Sequence, residues 1–199
     1  MNSNFNELYS EIFEYQPFDE QEQNDKKLFL HVLENFDDAL VRGNELVRFA
    51  ASALVVDEDF NEVLLVKHLI YGGFIFPGGH ADGESNLLSV AAREVMEETG
   101  IKVTPLLGGK PFGIEALPVV GHVKRGKYVP AHTHYDVIFL FKANSEDKRK
   151  IKSLPTENSE VKWLPIHKTL GEGMVEFVKP MFDKFIKKLT ALKLIDDKK

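Results

Sequence analysis

The chain contains no cysteine. Disulfides, thiolate metal sites and a cysteine nucleophile are therefore excluded. It also lacks any apolar run approaching the length of about 20 residues that a membrane helix needs. The N-terminus carries Glu7 and Glu11 and no basic-then-apolar pattern, so no signal segment is expected. Basic residues are outnumbered, 25 against 31 acidic ones, and the formal charge is -6. An acidic chain is a poor general binder of nucleic-acid polymers, because neutralising phosphates needs a basic face. Together these absences predict a soluble cytoplasmic protein with neither a membrane nor a nucleic-acid polymer as partner. A small phosphorylated substrate remains compatible, since a bound metal ion reverses the local sign of charge.

Apolar material is plentiful. Hydrophobic residues make up 43% of the 199, with 15 phenylalanines, which is ample for a sizeable core. That length suits one domain with an appended segment. Residues 1–45 read as helical: Phe5, Leu8, Tyr9, Ile12 and Phe13 recur at helical spacing. Pro17 ends that helix. Asp19 opens a second one, with Leu28, Phe29, Val32, Leu33 and Phe36 as its stripe. We expect this extension to pack on residues 46–199 or across a homodimer.

From Ala50 the pattern changes to strands. Ala50–Val56 and Val63–Ile70 pair around an Asp57-Glu58-Asp59 turn, and Phe74-Ile75-Phe76 leads through Pro77 into a glycine loop. Val119–Lys124 and Tyr128–Ala131 bracket Arg125-Gly126-Lys127, a hairpin signal. His134–Lys142 reads as a central strand, Asn144–Pro155 as a charged loop and Glu160–Leu164 as a short last strand. Met174–Leu194 is a helix with a broad apolar stripe and a candidate kink at Pro180. The ending Asp196-Asp197-Lys198-Lys199 should fray.

The chemistry concentrates in Gly78-Gly79-His80-Ala81-Asp82-Gly83-Glu84 and the following Arg93-Glu94-Val95-Met96-Glu97-Glu98-Thr99-Gly100-Ile101. Leu88, Ala91, Ala92 and Val95 give a helix with a buried stripe, started by Ser85 or Asn86 as N-cap and stopped by Gly100. Ile101 and Val103 then begin a strand. On that helix Glu94, Glu97 and Glu98 are neighbours at i, i+3 and i+4. Like charges so placed repel, and a hard cation such as Mg²⁺ or Mn²⁺ relieves the repulsion. Arg93 lies four residues before Glu97 and can pair with it. The bland alternative is a solvated acidic face. It requires the Gly-Gly turn, Arg93 and Gly100 to fall at these distances by chance.

These residues resemble the Nudix hydrolase signature, G-x5-E-x7-R-E-U-x-E-E-x-G-U, where U is bulky and aliphatic. Counted from Gly79, the chain supplies Arg93, Glu94, Val95, Glu97, Glu98, Gly100 and Ile101 in register, and the box runs 23 residues to Ile101. One position departs: the first glutamate falls on Ser85, with Glu84 one place early. In the family that position braces the loop. The flanking pattern extends the resemblance over roughly residues 46–170.

The resemblance implies an α/β/α sandwich around a mixed sheet, with the N-terminal helices as an extension. It also implies metal-dependent hydrolysis of a nucleoside diphosphate linked to another moiety X. It assigns Glu94 and Glu98 as metal ligands with the Gly79 carbonyl. Glu97 is then a further ligand or the base, held by Arg93. Glu115, Glu157 and Glu160 are candidates for the extra glutamate that many members recruit from a later loop. Subfamily markers do not fix the substrate. Pro118 is displaced from the proline position of ADP-ribose enzymes, near Glu115 or Ala116. The tyrosine of dinucleoside-polyphosphate enzymes, expected near Leu117 or Pro118, is absent, as is the NADH-type array. The isomerase members use a cysteine, which this chain lacks. A nucleotide-binding sensor without catalysis is the alternative, but such modules usually lose the box glutamates. An RNA-processing enzyme would need a basic channel.

Three further features complete the reading. His132 and His134 share one face of a strand. With His80 they are candidates to line the substrate cleft as donors to phosphate or base. Zinc binding, with His122 or His80 added, is a second possibility, and satisfied structural histidines are a third. Lys124, Arg125 and Lys127 form a basic cluster that is either a solvated turn or a phosphate contact.

Overall fold

A computed structural model describes residues 5–124, 126–156, 158–167 and 173–196. The fold is mixed α/β, with a mixed sheet and four α-helices among the described residues. In chain order the elements are α1 (Asn6–Glu14), α2 (Glu20–Asn35), β1 (Val47–Val56), β2 (Glu62–His68), β3 (Phe74–Ile75) and β4 (Gly78–His80). Then come α3 (Leu87–Thr99), β5 (Thr104–Pro105), β6 (Pro111–Val119), β7 (His122–Lys124) and β8 (Lys127–Val129). The last are β9 (His132–Lys142), β10 (Asn158–Pro165) and α4 (Val178–Ala191). The sheet runs β10-β2-β1-β9-β5, with β3 on β2, β4 on β1 and β6 on β9, while β7 and β8 form a separate ribbon. Contacts divide the chain into two compact units. One holds residues up to Ser52, Gly78–Ala91 and Gly109–Phe139; the other holds Ala53–Pro77, Ala92–Gly108 and residues from Leu140 onward.

In the first unit, Asp19 caps α2 by accepting the Glu22 N–H at 2.8 Å. Phe29 of α2, Phe49 and Tyr135 form an aromatic cluster with ring centroids 5.1–5.7 Å apart. Glu22 is wholly buried, which its hydrogen bonds allow: it accepts from the Tyr15 hydroxyl at 2.6 Å and the Phe18 N–H at 2.8 Å. Burial, then the Glu22 carboxylate, raises the pKa of the Tyr15 phenol. The helices reach β6 through polar contacts. Asp25 accepts the Ala116 N–H at 2.9 Å, and Tyr15 donates to the Phe112 carbonyl at 3.3 Å.

In the second unit, Phe76 packs against Phe182 and Phe185 of α4, at 5.9 and 5.7 Å between centroids. β10 pairs with β2 along its length, bringing Trp163 opposite Leu64. The Trp163 indole donates to the Lys148 carbonyl at 3.2 Å, and the Lys148 ammonium bridges Asp57 and Glu62.

Several sequence expectations are corrected. Phe13 and Leu28 face solvent, since the apolar stripes are wider than the faces that α1 and α2 bury. The strand expected from Ile101 is only Thr104–Pro105, because Ile101 is fully buried beside the helix stop and the ladder begins later. β4 and β6 carry no strand signal in the sequence: glycines hide the first, while Pro111, Gly113 and Pro118 obscure the period of the second. α4 starts at Val178, and Met174 instead bridges to Phe74. Pro180 then falls in the first helical turn, where a missing N–H breaks no intrahelical bond and no kink is needed. The expected fraying of Asp197–Lys199 lies outside the described residues. No helix among the described residues is long and apolar enough to cross a membrane.

Candidate functional site

The glycine loop is built on β1. Gly78 lies opposite Ser52, Gly79 opposite Ala51 and His80 opposite Ala50. A Cβ on Gly78 would sit 2.7 Å from the Ala51 carbonyl and 2.8 Å from Ser52 Cα, so only glycine fits this approach. Beyond it the chain turns through Asp82 and Gly83, both at positive φ. Two contacts from the segment after α2 hold that turn. Arg42 forms a bidentate ion pair with Asp82 at 2.6 and 2.8 Å, and the Gly83 N–H donates to the Leu40 carbonyl at 2.8 Å. Neither contact was legible in the sequence, because nothing local marks Arg42. The helix cap resolves to Asn86, whose Oδ1 accepts the Ser89 N–H at 3.1 Å. Ser85 contributes its backbone carbonyl to Leu87 N–H.

The carboxylate helix α3 lies partly in each unit, and its glutamates belong to the second. Glu94 and Glu98 are 8% and 2% exposed, one helical turn apart. The Glu97 side chain is 52% exposed, so the three do not share one environment. Arg93 forms the i,i+4 ion pair with Glu97 that helical spacing predicts, and reaches Glu94 as well. Its Nη1 is 3.3 Å from Glu94 Oε1 and 3.7 Å from Glu97 Oε1, so Glu94 is its nearer partner. Gly100 ends the helix at positive φ, its N–H donating to the Met96 carbonyl at 2.9 Å. The last turn is pinned from downstream. Asn158, wholly buried, donates to the Glu98 carbonyl at 3.2 Å, and the Lys152 N–H donates to that of Thr99 at 2.8 Å. Asn158 is a residue that the sequence reading missed.

The three candidate histidines come together in the first unit. His132 and His134 alternate on β9, and their Nε2 atoms are 3.0 Å apart. The His80 ring meets that of His134 edge-on, with centroids 4.8 Å apart. Burial first, with Arg48 and His122 adding to it, holds the pKa of His132 below its usual value against an opposing hydrogen bond to Pro130. Next along the same face is Asp136, which accepts from the Ser52 hydroxyl at 2.7 Å. Burial pushes its pKa up to about 6. Glu115 lies directly across from Asp136 on β6 and is buried.

Of the other candidates, Glu160 pairs with Lys162 on β10. Glu157 and Arg125 lie outside the described residues. His122 donates from Nδ1 to the Val120 carbonyl at 3.0 Å. Among the described residues, no three His, Asp or Glu side chains converge on a metal-binding point as they stand. The zinc possibility at His132 and His134 therefore finds no third ligand among the described residues. Glu94 and Glu98 fit a hard divalent cation by donor chemistry: two buried carboxylates one turn apart supply oxygen ligands whose mutual repulsion a cation offsets.

Comparison with known proteins now bears on these features. The family model described as NUDIX domain matches residues 46–185. Among solved structures, a C. elegans Ap4A hydrolase binary complex aligns with a TM-score of 0.53 and 20% identity, covering 74% of this chain and 98% of the other. A MutT protein from Methanosarcina mazei Go1 aligns at 0.48 and 24% identity, covering 73% and 96%. A NUDIX-family hydrolase from Clostridium perfringens aligns at 0.49 and 20%, covering 73% and 99%. No curated protein matches the chain. The family match spans well over half of the residues and contains the entire loop-and-helix box, so the chain belongs to the Nudix hydrolase family.

Proposed function

We propose that the protein is a metal-dependent Nudix pyrophosphohydrolase. Its substrate is a nucleoside diphosphate linked to a moiety X: a nucleotide sugar, a dinucleotide or a modified nucleotide. The observation that carries this reading is α3 itself. Glu94 and Glu98 are buried carboxylates a turn apart within a box that keeps every charged residue of the family's helical half.

Glu94 and Glu98 are the metal ligands, with the Gly79 carbonyl as the further ligand that the family pattern assigns. When bound, Mg²⁺ or Mn²⁺ supplies charge neutralisation at the diphosphate and lowers the cost of in-line attack by water. Glu97, exposed and within reach of Arg93, is free of the burial that Glu94 and Glu98 share and suits a ligand or proton-accepting role. Arg93 orients Glu94 and Glu97. His80, His132 and His134 form the substrate-binding group. Of the two described candidates for the extra glutamate, Glu115, buried opposite Asp136, is the one assigned to join them. Residues 46–199 form the catalytic domain and 1–45 an accessory segment that also suits a homodimer contact; the compartment is the cytoplasm.

The test is a screen of nucleotide sugars, dinucleoside polyphosphates and oxidised nucleotides with Mg²⁺ and phosphate detection, repeated with EDTA. Turnover of one class, abolished by EDTA, is expected. Full activity in metal-free buffer would sink the mechanism. Tight binding of one ligand without turnover would make the protein a nucleotide sensor.

A further inference from the structure

Arg48 sits on the face of the sheet that the histidines occupy. The rings of Phe49 on β1 and Tyr135 on β9 stack on one side, 5.7 Å between centroids. Side chains alternate along a strand, so Arg48, Ala50 and Ser52 share the other side with His132, His134 and Asp136. The Ser52–Asp136 hydrogen bond agrees with that alternation, and His80, opposite Ala50, joins the same side. Arg48 is half-buried there and held in place: its Nε donates to the Asn44 carbonyl at 2.9 Å. Asn44 is itself buried and fixed. Its Oδ1 accepts the Leu46 and Val47 N–H groups at 2.8 and 2.9 Å, and its Nδ2 donates to Asp38 at 2.7 Å. Among the described residues, Arg48 makes no ion pair and its Nη groups make no hydrogen bond. Its neighbours carry the same sign. Burial first and Arg42 second lower the Arg48 pKa, with Glu45 opposing them from beyond ion-pair distance. Arg48 in turn acts on buried His132, as does His122. Arg42 has its carboxylate in Asp82. Acidic residues outnumber basic ones 31 to 25, yet none of those described lies within ion-pair reach of Arg48. Holding a guanidinium half-desolvated without a counter-charge costs stability, and an anion from outside offsets that cost.

We propose that Arg48 is a substrate-binding residue whose two Nη groups take oxygens of a substrate phosphate at the histidine-lined face. The donor geometry suits this role. A guanidinium carries five N–H groups in one plane. With Nε–H committed to Asn44, the edge made by the two Nη groups remains for a bidentate contact with phosphate. This rests on the reading above that the histidine group receives the substrate, and it gives that group a permanent positive charge. A histidine is charged only in part near neutral pH, whereas an arginine stays charged throughout. Phosphate recognition then has two parts. Glu94 and Glu98 address phosphate only through a bound metal ion, while Arg48 needs none. Phosphate affinity that survives removal of metal is the property that sets this site apart.

The experiment is isothermal titration of inorganic pyrophosphate into the full-length protein, stripped of metal and held in metal-free buffer of low ionic strength. The wild-type protein should bind it saturably in the millimolar range or below. No such binding would overturn the proposal, and that measurement needs no variant to fold. Arg48→Gln should weaken the binding by about tenfold or more, the size of losing charge-assisted hydrogen bonds to one group. Arg48→Lys keeps the charge but loses the fork, and should fall between the two. Equal affinity in the wild type and Arg48→Gln would overturn the assignment. If Arg48→Gln does not fold, the arginine Nε–H signals of the ¹⁵N-labelled wild-type protein decide: one should shift with pyrophosphate, and unchanged signals would overturn the site. Kinetics on a substrate from the screen separate this proposal from the function it rests on. Arg48→Gln should raise KM by about tenfold with kcat changed less. Turnover with an unchanged KM would remove Arg48 from the substrate site and leave the hydrolase reading standing. Arg48-dependent pyrophosphate binding without turnover of any substrate class would keep the anion site and sink the hydrolase reading.

Discussion

Asp136 offers the sharpest physical prediction. Its carboxyl is 5% exposed, its Oδ2 accepts from Ser52, and its Oδ1 is buried with no hydrogen-bond partner among the described residues. Burial moves its pKa from 3.8 to about 6, against the opposing Ser52 bond. The folded state therefore binds this proton more tightly than the unfolded chain. The resulting stabilisation is fully present below about pH 4 and is lost as pH rises through about 6. Above that, the buried charge costs about 3 kcal/mol. Asp136→Asn removes the charge and keeps an acceptor for Ser52. Its amide nitrogen takes the place of Oδ1 without a partner, a penalty of about 1–3 kcal/mol that does not depend on pH. The variant's stability relative to wild type should thus climb by about 3 kcal/mol between about pH 4 and about pH 7, whatever its starting offset. Urea unfolding at a series of pH values, with the m-value held constant, measures this. Parallel stability curves for the two proteins would refute the argument, because they would mean that Asp136 does not change its proton affinity on folding.

Other consequences are simpler to read. Glu98→Gln and Glu97→Gln should each lower turnover by about a hundredfold or more while leaving the fold intact, which phosphate release and circular dichroism check together. Asn86→Ala should cost about 1 kcal/mol in thermal unfolding as a lost helix cap, and Ser85→Ala markedly less. Asn158→Leu leaves the Glu98 carbonyl without that donor. It should destabilise by about 1–3 kcal/mol, and hydrogen exchange should show faster opening at the end of α3.

What the sequence revealed follows from how each feature is encoded. The box glutamates, Arg93 and Gly100 are legible because helix periodicity and a left-handed stop are local. So are Asp19 as a cap and Pro17 as a break. β6 is not local in this sense: two prolines and a glycine break its alternation, and its identity comes from pairing with β9 and from contacts to Tyr15 and Asp25. Burial of individual residues is equally nonlocal. Glu94 and Glu98 are buried while Glu97 is exposed, although helical spacing treats them as one cluster. The histidines could be placed on a common face from spacing alone. The contact between His132 and the Pro130 carbonyl is set by the backbone, which no side-chain pattern announces.

The departure at the box can be understood in the same terms. The family's first glutamate braces the loop, and here that position is Ser85. Bracing appears elsewhere in this chain, from residues that precede the family match. Arg42 grips Asp82 with two hydrogen bonds, and the Leu40 carbonyl takes the Gly83 N–H. The ion pair is about half exposed on both sides, so its direct contribution to stability is at most about 1 kcal/mol. Its value lies in geometry: a planar guanidinium holding both carboxylate oxygens fixes the orientation of a residue whose positive φ sets the turn. Asp82 and Gly83 together are the turn that carries the chain from β4 into α3. A segment outside the matched region thus holds the loop. With Ser85 at that motif position, the turn is still held from outside the box, by the Leu40 carbonyl and the Arg42 guanidinium.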